Sequence, residues 1–140
     1  MSERSGTALR EPYPRITFED VALDQVGDRC SARVMLSLSG VEIVGTAEGE
    51  ASRLGRLRCA AEATARAIEN AAPSQLKLTV IAVQLVETVH AVLIVVSLAN
   101  PAKEEGKRLV GSCVVKEQLE RSAVLAVLSA TNRLVGMRLQ

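Results

Sequence analysis

The stretch from Glu120 to Val135, ERSAVLAVLSATNRLV, repeats its apolar residues at helical spacing. At about 100° per residue, Ser122, Ser129, Asn132 and Arg133 fall in one narrow stripe. Ala123, Val124, Ala126, Val127, Leu128, Ala130, Leu134 and Val135 fill roughly 200° of the remainder, with Leu125 at its far edge. A helix resting on one sheet needs about half of that. The surplus predicts a second contact, with another helix of the chain or with a second subunit. We expect self-association through a helix layer, with Val124, Leu125, Leu128 and Val135 at the interface.

A second helical pattern runs from about Ser52 to Ala71 and stops before Pro73, which biases Ala72 away from the helical region. Its face of Leu57, Ala60, Ala61, Ala63, Thr64, Ala67 and Ile68 is mostly alanine, suited to close approach to a sheet. Arg58, Glu62, Arg66, Glu69 and Asn70 lie opposite and read as solvated, as does Arg56. Elsewhere the period is that of strands. In VEIVGTA, Val41, Ile43, Gly45 and Ala47 share one face, and Glu42, Val44, Thr46 and Glu48 the other. Ser39-Gly40 reads as a tight hairpin turn, with NPAKEEG, Asn100 to Gly106, as its longer counterpart.

The pattern occurs twice. ITFEDVALDQ from Ile16 lies against LTVIAVQLVE from Leu78, so that Thr17 meets Thr79, Val21 meets Val83 and Leu23 meets Leu85. SARVMLSLSG from Ser31 lies against AVLIVVSLAN from Ala91, VGTA from Val44 against VGSC from Val110, and RCAAEATARAIENA from Arg58 against RSAVLAVLSATNRL from Arg121. The prediction is an α+β fold made of a tandem βββα-βββα repeat, antiparallel sheet with two helices packed on one side. Residues 15–72 and 76–136 form the two units of a single domain, behind a flexible arm over 1–14.

Composition narrows the function. The 140 residues carry a formal net charge of +1, and Tyr13 and Phe18 are the only aromatics. Neither a basic surface nor a stacking platform for nucleic acid is present, and no apolar run approaches a membrane span. Cys30, Cys59 and Cys113 are widely spaced and accompanied by one histidine, His90, which suits small buried hydrophobes in a reducing cytoplasm rather than a disulfide framework or a metal site. No metal, no cofactor and no catalytic residue is expected, since one histidine and scattered acids assemble no nucleophile–base pair. Helix starts remain as anion sites, because their free amides and dipole attract a carboxylate and glycine lets it approach. Gly45, Gly49, Ser52 and Arg53 at one start, and Gly111, Ser112 and Ser122 at the other, are the candidate ligand-binding residues.

In the second unit, RLVGSCVVKEQLERSAVLAVLSATNRLV combines Val110-Gly111, acids at Glu117 and Glu120, the alanine spacing Ala123, Ala126, Ala130, and Asn132-Arg133. This resembles the C-terminal regulatory domain of 2-isopropylmalate and citramalate synthases, the LeuA allosteric and dimerisation domain. The likeness covers about Ile16 to Leu134; the first unit keeps Gly45 and Gly49 but lacks the Pro and Asp of the family's glycine-rich run. With no barrel-shaped catalytic domain in the chain, the resemblance implies a stand-alone regulatory module rather than synthase activity. It implies a homodimer or higher homo-oligomer, a small acidic metabolite as ligand, and an enzyme as partner. The alternative from the residues alone is a purely structural protein that self-associates or docks onto an enzyme without a small ligand.

Overall fold

A computed structural model describes residues 16–71, 76–100 and 108–138, excepting the side chains of 133–138. The expected arm over 1–14, the hairpin loop of Asn100 to Gly106 beyond Asn100, and the Val135 side chain lie outside the described residues. The elements are β1 (Ile16–Val26), β2 (Arg29–Leu38), β3 (Val41–Glu50), α1 (Arg53–Ala71), β4 (Thr79–Glu87), β5 (Val92–Ala99), β6 (Arg108–Val114) and α2 (Leu119–Arg138). They form the expected βββα-βββα arrangement, with the strands in two separate antiparallel sheets ordered β1-β2-β3 and β4-β5-β6. Ser39 and Gly40 make the β2–β3 turn with φ of 51° and 82°, the doubly left-handed pair that matches strand twist in a two-residue hairpin.

The repeat holds in atomic detail. Both first strands carry a bulge at the same place, between Phe18 and Asp20 and between Val80 and Ala82. A Cβ on Gly45 would stand 2.1 Å from the Ala63 carbonyl oxygen and 2.3 Å from the Ala67 nitrogen. One on Gly111 would stand 2.0 Å from the Ala126 oxygen and 2.6 Å from the Ala130 nitrogen. The paired glycines thus press each third strand directly onto the backbone of its own helix. Likewise, the Ile16 amide donates to Asn132 Oδ1 at 2.9 Å, and the Leu78 amide to Glu69 Oε2 at 2.6 Å. Each helix end therefore holds the first strand of the opposite unit.

These cross-links fix where the helices lie. α1 packs on β2 and β3, meets α2, and is reached by β4; α2 packs on β5 and β6 and is reached by β1. The surplus apolar surface of α2 is consequently satisfied within the chain. Val124 is fully buried and Leu128 is 4% exposed, both belonging to the chain's own core, whereas Leu125 is half-buried. The face of α1 expected to be solvated is exposed at Arg58 and Asn70, but its polar groups also bond to their neighbours. Arg58 Nη2 donates to the Val80 carbonyl at 2.7 Å, Arg66 donates to the Leu78 carbonyl, and both arginines pair with acids of their own helix. Arg56 donates to Gln25 Oε1 at 2.9 Å and pairs with Glu120 at 3.3 Å, joining the starts of the two helices. The polar side of α1 is a seam, because long arginine stems cover apolar surface while their heads find backbone carbonyls.

The outward faces of the two sheets differ. Cross-strand rows on the first sheet run Asp24–Ser31–Glu48, Ala22–Arg33–Thr46 and Asp20–Met35–Val44, so charges are spread across it. On the second they run Val86–Leu93–Val114, Gln84–Val95–Ser112, Ala82–Ser97–Val110 and Thr79–Ala99–Arg108, with Arg108 as the charged side chain of these rows.

Candidate functional site

Each helix start carries a cavity, and their chemistry is opposite. At α1 a cavity of about 330 Å³ is lined by Gln25, Gly27, Asp28, Glu50, Ala51 and Ser52. Its charged groups are two carboxylates, which oppose the entry of an anion. At α2 a cavity of about 290 Å³ is lined by Cys113, Val114, Lys116, Glu117, Gln118, Arg121, Ser122 and Leu125. Here two cations face one acid, and Val114, Cys113 and Leu125 give an apolar wall. A wider groove of about 680 Å³ beside the end of α1 has Glu42 as its one charged lining group.

Arg121 is the distinguishing residue of the second cavity. Its counterpart Arg58 is tied to the Val80 carbonyl and, at 3.3 Å, to Glu62 one turn along the helix. The position equivalent to Glu62 is Leu125, so Arg121 has no acid one turn later in the helix. Its guanidinium instead sits 5.2 Å from the centre of the Phe18 ring, on the first strand of the other unit. Among the described residues Arg121 makes no ion pair. Such a cation at the first turn of a helix, beside amides that precede the first intrahelical bond, suits a small carboxylate. Glu120, the acid in that turn, is engaged by Arg56.

Of the sequence-predicted ligand residues, Ser122 alone lines this cavity. Its hydroxyl donates to the Gln118 carbonyl at 3.1 Å and its amide to the same oxygen at 3.2 Å, so it shapes the helix start. Ser112 is exposed on the outward face of the second sheet, apart from the cavity. Gly45 and Gly111 are buried against helix backbone, where their lack of a Cβ serves packing rather than ligand approach. Gly49 faces Gly55 and Cys59, Ser52 accepts the Gly55 amide at 3.1 Å as the cap of α1, and Arg53 is exposed. Lys116, Gln118 and Arg121 were not singled out by sequence. The available signal was the loss of an acid one turn after Arg121, where the first helix keeps Glu62.

His90 is exposed between β4 and β5, and no group of three or more potential metal ligands occurs among the described residues. Cys30 and Cys59 are buried side by side in the first unit, while Cys113 is half-buried at the cavity wall. Burial, reinforced by the neighbouring Cys30 and then by Glu62, pushes the Cys59 thiol from its ordinary 9.0 up to about 12. Alkylation of the folded protein at neutral pH should therefore modify Cys113 and spare Cys59, with full labelling only in denaturant. Mass mapping checks this. Because ionisation of Cys59 favours the unfolded chain, its contribution to stability is present below pH 9 and declines as pH rises from 9 towards about 12.

No protein-family model matches the chain, and no curated protein matches it. Among the described residues, no helix is long and apolar enough to cross a membrane.

Proposed function

We propose that the protein is a non-catalytic regulatory module that binds a small carboxylate metabolite at the start of α2. The observation that carries this reading is the contrast between the twin arginines: Arg58 is held by the Val80 carbonyl and Glu62, and Arg121 is unpaired beside a cavity. Arg121 and Lys116 supply charge, the first-turn amides supply donors, and Val114 and Leu125 accommodate a short apolar tail. A volume of about 290 Å³ limits the ligand to roughly the size of an amino acid or a short branched or dicarboxylic acid. The resemblance of the sequence to the regulatory domain of 2-isopropylmalate and citramalate synthases points to the same ligand class and to an enzyme as partner. Free thiols at Cys30, Cys59 and Cys113 suit the reducing cytoplasm.

Native mass spectrometry with a panel of amino acids and short branched and dicarboxylic acids tests the reading. Retention of one small acid by the wild type, lost at least about tenfold in Arg121→Ala, is the expected result, since a charge-assisted contact supports that much affinity. Arg58→Ala should lower the melting temperature and leave retention intact. If no acid is retained, or if Arg121→Ala retains it as well as the wild type, the proposal fails.

A further inference from the structure

We infer that the groove beside the end of α1 is the seat of the chain's own N-terminal arm, residues 1–15, with the Tyr13 ring laid over Val41 and Ile43. This goes beyond the carboxylate site and stands independently of it. The groove, about 680 Å³, exists because the first sheet outruns its helix. Val41, Ile43 and Gly45 alternate onto one face of β3, and Gly45 lies against the backbone of Ala63 and Ala67. Ile43 and Val41 come earlier on that strand and line the groove beside Ala71, the last residue of α1. Leu38 extends the same apolar floor, on which Val41 is 64% exposed.

The point where the arm joins the fold selects it as the occupant. The arm ends at Ile16, which pairs with Leu38, and Leu38 pairs with Val41, so one cross-strand row leads from the junction to the groove. Ile16 is buried and its amide is held by Asn132 Oδ1, which fixes the junction in place. From β1 to β3 is two strand spacings, about 10 Å. Tyr13 stands three residues before Ile16, a reach of about 10 Å, so its ring arrives over Val41. Pro12 and Pro14 restrict the backbone on either side of Tyr13, and little freedom is left to lose on docking. The ring suits the apolar floor, and its hydroxyl finds partners in Ser39 and Asn70 at the rim. Charge agrees as well: Glu42 is the charged lining group, and Arg10 and Arg15 flank the Pro-Tyr-Pro stretch. A tether this short holds the ring at a millimolar effective concentration, which favours the chain's own arm over that of a second copy.

Tyr13 is the one tyrosine of a chain without tryptophan, so the intrinsic fluorescence of the full-length protein reports on it alone. Acrylamide should quench that emission at least about threefold less efficiently than it quenches a peptide of residues 1–15, because the docked ring is shielded. Val41→Asp, at an already exposed position, sets a hydrated carboxylate under the ring and should restore quenching to the level of the peptide. Val110→Asp, at a valine 60% exposed on the second sheet, should quench like the wild type. Should Val41→Asp fail to fold, Tyr13→Ala decides: loss of the ring current should shift the methyl resonances of Val41 and Ile43 and leave those of Val110 and Val114 in place. Four results overturn the inference: peptide-like quenching of the wild type, protection that survives Val41→Asp, protection that vanishes on dilution because a second copy's arm supplies it, and methyls of Val41 and Ile43 that ignore Tyr13→Ala.

Discussion

Leu128→Glu is expected to abolish the folded state. Leu128 is 4% exposed and lies in the one apolar core that the two units share. A carboxylate there has to stay neutral or lose its hydration without a partner, at a cost of several kcal/mol. A domain of this size is stable by only about 5–15 kcal/mol, so most of its stability is removed. Circular dichroism should show no cooperative thermal transition for this variant. Ser129→Glu, one residue further on and exposed, serves as the control and should melt close to the wild type. A folded Leu128→Glu protein with an unchanged melting temperature would mean that α2 does not lie against its own sheet and α1 as described.

The second large effect comes from adding a single methyl group at either paired glycine. In Gly45→Ala the new Cβ meets the Ala63 carbonyl oxygen at 2.1 Å, and in Gly111→Ala it meets the Ala126 oxygen at 2.0 Å. The obstructing atoms are helix backbone and cannot turn aside as a side-chain tip would. Each helix has to move off its sheet, placing the cost at the upper end of over-packing, about 2–3 kcal/mol. At roughly 4 °C per kcal/mol, each substitution should lower the melting temperature by about 10 °C. Because the glycines serve separate units, the double variant should lose nearly the sum of the two. Gly27→Ala makes an informative comparison: no atom lies within 4 Å of its added Cβ, and any loss there arises from the positive φ of 61° alone.

Several features of this architecture were legible in the sequence. The alignment of VGTA with VGSC and of RCAAEATARA with RSAVLAVLSA placed Gly45 opposite Gly111, Ala63 opposite Ala126 and Ala67 opposite Ala130, and these are the atoms that meet. The stop of α1 at Ala71, its cap at Ser52 and the Ser39-Gly40 turn follow from local chemistry that tertiary packing does not override. Periodicity did not reveal what the polar residues touch. Arg58, Arg66 and Glu69 have the spacing of a solvated face, but Arg58 bonds the backbone of Val80 in β4, and Arg66 and Glu69 bond that of Leu78 just before it. Helical spacing records which residues share a side, not what stands against it.

Val124 and Leu128, expected at an interface, lie in the chain's own core for a related reason. An apolar arc of roughly 200° reports two contacts without saying whether both belong to one chain. The second contact to α2 comes from α1, with β1 alongside, where the Ile16 amide is held by Asn132 Oδ1. The divergence of the outward sheet faces was also visible in the sequence. AVLIVVSLAN is apolar on both sides of its strand, whereas SARVMLSLSG alternates around Arg33. For the cavity, the sequence reading weighted the glycines above the cation at the start of α2. Gly45 and Gly111 act in packing, and the charge resides on Arg121 and Lys116.

The central claim is that the second helix start, and not the first, receives a small carboxylate. Amide chemical-shift mapping on the isotope-labelled protein during titration with the acid panel distinguishes the two starts residue by residue. The predicted result is saturable shifts confined to Val114 and the span from Lys116 to Leu125, absent in Arg121→Ala. Shifts clustered instead at Asp28 and from Glu50 to Ser52, or no saturable shift with any acid, would contradict the account.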